Sequence, residues 1–451
     1  MVKRDATPAH NQAPMNWSKK LQYINALALV FAAASVHANS SLMDQGLSFA
    51  DASESQVIAW RRHIHQHPEL PWQEKETAKY VTSALSKMPG FQVQTGIVGT
   101  AVKAVLRGGK PGPVIALRAD MDALPVQERN DLDFKSTNKG IYNGRDTYVA
   151  HVCGHDTHVA MLLGAAQAFS KMQKDLPGTV VLLFQPAEEA GPGNGGAEKM
   201  IAAGVLDNPK VDVILGQHIN GRGPSGTISY RAGDFMAGAN NFTIKLDGKG
   251  GHGSQPWAAN DPIIATAELV LSLQGIISHQ INQQRGYTTL TVGMVQSGNK
   301  TNILPETAEV AGTIRSLSKD NLASARESLL RRVKGIADTW NLKSDVKVGS
   351  GGYENVVNDQ ALVKTILPAF QLAAGSDKVL NAEPVMGGDD FGAFGATGIP
   401  AVYWFLNASP NGAKDGAPNH SPEFRIDEAA LKVGVRALVA TTIQAMAASQ
   451  K

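Results

Sequence analysis

Residues 151–189 read HVCGHDTHVAMLLGAAQAFSKMQKDLPGTVVLLFQPAEE. Inside this stretch Val159 to Lys171 is apolar at helical spacing, and Thr179 to Gln185 is an unbroken β-branched, aliphatic and aromatic run of strand length. A helix feeding a strand that is apolar on both faces is the signature of a buried sheet with helical cover. Moving outward, Asp51 through Tyr80 reads as helix with a break at His67-Pro68. Ala101 to Arg107, Val114 to Leu117 and Val211 to Leu215 read as strands. This alternation predicts an α/β fold with a mixed sheet flanked by helices.

The middle of the chain follows another rhythm. Asn241 to Leu246 alternates as a half-buried strand, Asp261 to His279 is a long helix, Thr288 to Val295 and Glu309 to Ser316 are strands, and Asn321 to Ala337 is a second helix. At 451 residues the chain exceeds the size at which one core usually keeps growing. The expectation is therefore a discontinuous main domain, residues 44–232 and 346–451, interrupted by an inserted α+β domain over 233–345. Glycine-containing stretches at Arg231-Ala232-Gly233 and Gly349-Ser350-Gly351-Gly352 flank the insertion.

A hydrophobic content of 43%, a charged content of 18% and a formal net charge of +2 exclude both a disordered chain and a strongly basic nucleic-acid binder. Lys19 and Lys20, the apolar run Ile24 to Val36, and the small-residue site Val36-His37-Ala38 read in order as an export signal within an extended N-terminus, residues 1–38. Met15 fits as the start of translation. The apolar run is short for a membrane span, and no later segment is expected to reach the necessary length of about 20 residues. The expected location is thus the periplasm or the medium, without stable membrane association after cleavage. Cys153 is the only cysteine, so an internal disulfide is excluded and its thiol is free, metal-bound or intermolecular.

Cys153 and His155, one residue apart, can both reach one cation or a close pair of cations, although a buried inert thiol fits this octet as well. The strand ending at Gln185 opens into Pro186-Ala187-Glu188-Glu189. There one carboxylate can ligate a metal while its neighbour serves as general base. His218 follows the apolar run Val211 to Leu215, where ligands collect at strand ends in open α/β sheets, and His420 sits in a turn-rich loop. Cys153, His155, Glu189, His218 and His420 together exceed one tetrahedral site, which points to two metals sharing a ligand.

These residues resemble the dinuclear metal amidohydrolases that include hippurate hydrolases, bacterial aminoacylases and plant auxin-conjugate hydrolases. The likeness spans nearly all of the mature chain. It runs through His65-Gln66-His67-Pro68-Glu69-Leu70, Arg118-Ala119-Asp120-Met121-Asp122-Ala123-Leu124-Pro125, Cys153-Gly154-His155-Asp156, Phe184-Gln185-Pro186-Ala187-Glu188-Glu189 and Gly248-Lys249-Gly250-Gly251-His252. The resemblance implies a zinc-exopeptidase-like fold and two divalent metals, zinc or manganese with cobalt or nickel accepted. It makes Cys153 the bridging ligand and Glu188 the general acid/base. It also implies that Asp120 steadies a ligand, that the insertion is a lid and dimerisation domain whose His252 donates to the oxyanion across a homodimer, and that Asn302 and Arg315 hold the substrate's carboxylate.

The implied reaction is hydrolysis of an N-acyl amino acid. His63, His65, His67 and His158 are read as structural despite their ligand-like spacing. Two departures stand out: Asp389 replaces the commoner glutamate in Gly387-Gly388-Asp389-Asp390-Phe391, and the loop Gly191 to Gly196 after Glu189 is long. Three other readings stay open from the residues. They are a cysteine amidase built on Cys153, a metallo-dipeptidase, and a catalytically silent metal- and carboxylate-binding protein.

Overall fold

A computed structural model describes residues 41–191, 193–349, 352–410 and 416–449. The export signal, the Met15 start and the site after Ala38 lie outside the described residues, as do Ser350 and Gly351 of the second glycine stretch. The main unit begins with helical residues 41–52, then α1 (Glu54–Gln66) and α2 (Lys75–Ser86). The expected helix from Asp51 to Tyr80 is thus two helices, separated by residues 67–74 around His67-Pro68, because the residue before proline is driven out of the helical region.

The first strands are β1 (Phe91–Thr95), β2 (Val102–Arg107) and β3 (Lys110–Asp120). Then come α3 (His155–Met172), β4 (Pro177–Gln185), β5 (Val213–Asn220) and β6 (Thr227–Tyr230). The inserted unit follows with β7 (Gly238–Asp247), α4 (Pro262–His279), β8 (Thr288–Ser297), β9 (Thr307–Ser316), α5 (Lys319–Thr339) and β10 (Lys343–Val348). The chain returns through α6 (Gln360–Ala374), β11 (Val379–Asn381), β12 (Ala401–Asn407) and α7 (Ala430–Ala448).

The main sheet has the order β1-β2-β4-β3-β5-β12-β6-β11 and is mixed: β3 runs parallel to β4 and β5, and β12 runs parallel to β5 and antiparallel to β6. Period-two alternation explains why β4 is apolar throughout. Val180, Leu182 and Phe184 face the core under α1, α3, α6 and α7, while Val181 and Leu183 face the opposite core with Phe235 and Phe394.

In the inserted unit β8-β9-β7-β10 form a four-stranded antiparallel sheet. Leu269, Leu273 and Ile276 of α4 and Leu322, Leu329, Val333 and Ile336 of α5 pack on its Phe242, Ile244, Val310 and Ile314, at the 3–4-residue spacing of a helical stripe. Its last strand ends at Val348, three residues beyond the boundary read from sequence.

Two expectations are corrected. Val211 to Leu215 was read as the strand, whereas β5 spans Val213–Asn220 and carries His218 within it. Two later helices, α4 and α7, are long and apolar enough by length and composition to span a membrane. Packing accounts for α7, which is 72% buried in the main core, whereas α4 is only 33% buried, covering the inserted sheet with one face and exposing Ile263, Ile264 and Leu271.

Candidate metal centre

The parallel register aligns the carboxyl ends of the central strands. Asp120 ends β3 opposite Gln185, the last residue of β4, and the Met121 N–H continues the pairing to the Gln185 carbonyl at 2.9 Å. Arg118 pairs with Gly216, so two residues further on Asp120 and His218 stand level. This sheet edge is where open α/β folds gather ligands. α3 begins at the same edge, with Gly154 as its cap at φ 95°. A side chain on Gly154 would be strained at that angle and would bring a Cβ within 2.2 Å of Ile219 Cγ2, so glycine alone permits Cys153 and His155 to flank this turn.

The side chains form two overlapping triads. Cys153, His155 and His218 hold their donor atoms within 4.8 Å of one another, and so do Cys153, Glu189 and His420, with Cys153 common to both. Cys153 Sγ lies 3.4 Å from His218 Nε2, and His420 Nε2 lies 3.0 Å from Glu189 Oε1. His218 Nδ1 donates to the Ile219 carbonyl at 2.7 Å, which leaves the Nε2 lone pair directed at the cluster. His155 Nδ1 donates to Asp122 Oδ1 at 3.2 Å, and its Nε2 is buried without a hydrogen bond. An orphaned imidazole nitrogen beside a thiol and a carboxylate fits a divalent cation of borderline softness.

Electrostatics favour cations as well. Burial and the Glu189, Glu188 and Asp120 carboxylates push the Cys153 thiol well above its usual value, the reverse of an activated cysteine nucleophile. Burial would lower His155, yet Asp120, Asp122 and Glu189 hold it up at about 10. The charge that a proton on His155 balances is charge that a metal would balance in its place. Burial, with Asp389, Glu189, Asp390 and Asp120 around it, raises Glu188 well above the carboxylate range.

Residues 116–444 match Peptidase family M20/M25/M40. The chain belongs to that family. It is 40% identical over 387 residues to thermostable carboxypeptidase 1 of Saccharolobus solfataricus, covering 85% of this chain and 94% of that protein. It is also 40% identical over 308 residues to an N-acyl-L-amino acid amidohydrolase of Geobacillus stearothermophilus, covering 68% of this chain and 79% of the relative. A crystal structure from Bacillus subtilis, described as a dinuclear metal binding peptidase from the M20 family, superimposes with a TM-score of 0.72 at 31% identity, covering 88% of this chain and 99% of that one. The M20-family chain is a metal-dependent hydrolase.

Some residues of this M20 protein fall elsewhere than expected. The aspartate that orients His155 is Asp122, whose Oδ2 also accepts the Glu189 N–H at 2.8 Å. Asp120, given that task from sequence, instead pairs with Arg118 Nη1 at 2.7 Å and accepts from His158 Nδ1, its Oδ2 standing 3.6 Å from His155 Nε2. His158 Nε2 accepts the Ile219 N–H at 2.8 Å, so both its nitrogens are engaged and it is a supporting residue. His65 is likewise enclosed between Asp156 and Glu128.

His252 is exposed, with Nδ1 facing Ser254, and belongs to no candidate metal group among the described residues; the neighbouring Asn302 is exposed too. Arg315 bonds the Met386 carbonyl at 3.1 Å, at the opposite end of β9 from Asn302. One chain therefore does not bring Asn302 and Arg315 together.

Several positioning residues reach the site from distant parts of the chain, and of these the sequence singles out only Asp389. Asp389 and Asp390 sit with Glu188 within 4.8 Å and share the buried Arg118, and the Tyr403 hydroxyl donates to Asp389. Glu74 accepts the N–H of Ala187, which precedes Glu188 in the left-handed region at φ 57°. Asn419 donates to the carbonyls of Cys153 and Ile219, and the His420 N–H bonds the Val152 carbonyl at 2.7 Å.

Proposed function

We propose that the protein hydrolyses the amide bond of N-acyl or aryl-acyl amino acids, releasing a carboxylic acid and a free amino acid. The observation that carries this reading is the pair of triads sharing Cys153, with the buried Glu188 outside both and beside His155 and Glu189. Cys153, His155, Glu189, His218 and His420 would hold two divalent metals, zinc or manganese, with cobalt or nickel accommodated by mixed ligands. Bound there, the metals supply Lewis acidity to the amide carbonyl and acidify a water. Glu188 takes the water's proton at its carboxylate and returns it to the leaving nitrogen. Asp122 keeps His155 in the tautomer that presents Nε2.

Arg315, whose Nη1 bonds the Met386 carbonyl, would receive a free carboxylate with its remaining N–H groups. His252 and Asn302 lie at the far end of β9, on the order of 27 Å away by strand rise, so in this reading they serve the site of a second copy. The apolar face of α4 at Ile263, Ile264 and Leu271 supports a homodimer through the inserted unit. There the partner's His252 would donate to the oxyanion. We also read residues 1–38 as an export signal, so the working location is the periplasm or the medium, and mass spectrometry of exported protein should show Asn39 as the first residue.

A second reading, cleavage of small peptides with a free carboxylate, is favoured by the 40% identity to thermostable carboxypeptidase 1. The test is a panel of N-acyl amino acids and dipeptides offered to native, chelated and metal-restored protein. Cleavage of N-acyl amino acids should vanish on chelation, return with metal, and fall by at least about 10³-fold in Glu188→Gln with metal content preserved. Dipeptide cleavage alone would favour the second reading, and no cleavage with two metals bound would sink both.

A further inference from the structure

We infer that Tyr353 is a positioning residue that ties the orientation of the Glu188–Glu189 peptide to the seating of the inserted unit. The inference rests on the reading of Glu188 as general acid/base and goes beyond it by naming what holds that carboxylate in place. The peptide joining Glu188 to Glu189 is one rigid plane. Its C=O accepts from the Tyr353 hydroxyl at 3.1 Å, and its N–H donates to Asp122 Oδ2 at 2.8 Å. Turning that plane swings both side chains at once, the proposed proton carrier on one side and the proposed ligand on the other. The preceding residue, Ala187, has φ 57°, which a non-glycine residue adopts only when its surroundings impose it. Glu74 fixes the N–H end of Ala187, and Tyr353 fixes the plane that follows.

Tyr353 is fastened to the inserted unit through its own backbone. It exchanges both hydrogen bonds with Ala239 of β7, at 2.9 and 3.0 Å. The next two residues continue the attachment: Glu354 pairs with Lys319 at the start of α5 at 3.4 Å, and Asn355 donates to the Ser316 carbonyl at the end of β9 at 2.7 Å. The ring packs against Gly388 in the loop that carries Asp389 and Asp390, where an added Cβ would stand 2.8 Å from Tyr353 Cδ2. A shift of the inserted unit therefore moves Tyr353, and the hydroxyl carries that movement to the plane between the two glutamates.

The test compares the full-length, metal-loaded wild type with Tyr353→Phe, which keeps the ring and removes the hydroxyl. For the N-acetyl amino acid that the wild type cleaves fastest, kcat should fall about tenfold while KM changes less than about twofold, with metal content retained. Amide exchange over residues 187–191 should accelerate severalfold, a change independent of turnover. Gly388→Ala, whose Cβ would press chiefly on the Tyr353 ring at 2.8 Å and also stand 3.1 Å from the Ala237 carbonyl, should lower kcat likewise, and adding it to Tyr353→Phe should cost less than about twofold more. Unchanged kcat together with unchanged exchange, or full additivity of the two substitutions, overturns the inference. Wild-type inactivity on every N-acyl amino acid would count against the functional reading, and the exchange comparison would still decide the role of Tyr353.

Discussion

Asp122 and Glu188 show how much the centre depends on single atoms. Asp122 uses one oxygen to set the tautomer of His155 and the other to hold the backbone of Glu189. In the proposed ligand set, Asp122→Asn should weaken metal binding by about 10–100-fold, measured by competition with a chromophoric chelator, while leaving the fold intact. Affinity equal to wild type would mean that the His155 ring is held by its packing alone. The five proposed ligands and Glu188 are legible as candidates in the sequence because thiol, imidazole and carboxylate are the side chains that can hold a cation or carry a proton. Asp122 stood in full view inside Arg118-Ala119-Asp120-Met121-Asp122, yet spacing alone could not separate it from Asp120. Only the level pairing of β3 with β5 and the turn after β4 make that distinction. Ala187, Asn419 and Tyr353 act through backbone contacts made by distant parts of the chain, and such contacts leave no residue-type signature.

Among the elements, α1 and α3 are joined by a buried charge network that lies apart from the ligand atoms. His65 donates to Asp156 Oδ2 at 2.9 Å and to Glu128 Oε1 at 3.1 Å, while Arg61 Nε reaches the same Asp156 oxygen at 2.8 Å. Burial and Arg61 act to lower the His65 value, but Asp156 and Glu128 outweigh them and raise it. A folded value above the unfolded one means that the stabilisation is fully present below the unfolded value, about 6.5, and is lost as pH rises through the folded value. His65→Asn should therefore cost about 3 kcal/mol at pH 5 and distinctly less at pH 9, read from denaturant unfolding at both pH values. An equal cost at both would show that His65 contributes packing and not charge. The helices and strands named from sequence period were found with shifted ends, since a strand such as β5 continues through Gln217 and His218 once both of its faces are covered. Residue polarity suggests an earlier stop. The span-like apolarity of α7 likewise makes sense only against the sheet it covers.

At the scale of the whole molecule, one chain does not bring His252 and Asn302 to the same end of β9 as Arg315. The proposed carboxylate-binding Arg315 lies close to the Asp389-Asp390 loop, whereas His252 and Asn302 sit together at the other end of β9, and among the described residues no hydrogen bond joins them to the triads. A dimer that exchanges these ends would complete each site with residues from the other copy, and the apolar face of α4 offers the surface for it. Mixing two inactive variants distinguishes this from a single-chain site. His252→Ala and Glu188→Gln protein should each be nearly silent alone. After joint refolding, half of the dimers are mixed, and each mixed dimer holds one site with an intact Glu188 facing an intact His252. Activity should then recover to about one quarter of wild type, because one site in four is complete. Sedimentation should show a dimer throughout. Recovery absent in a dimeric mixture would place His252 in its own chain's site, full activity of His252→Ala alone would place it outside the reaction, and a monomer in sedimentation would remove the exchange altogether.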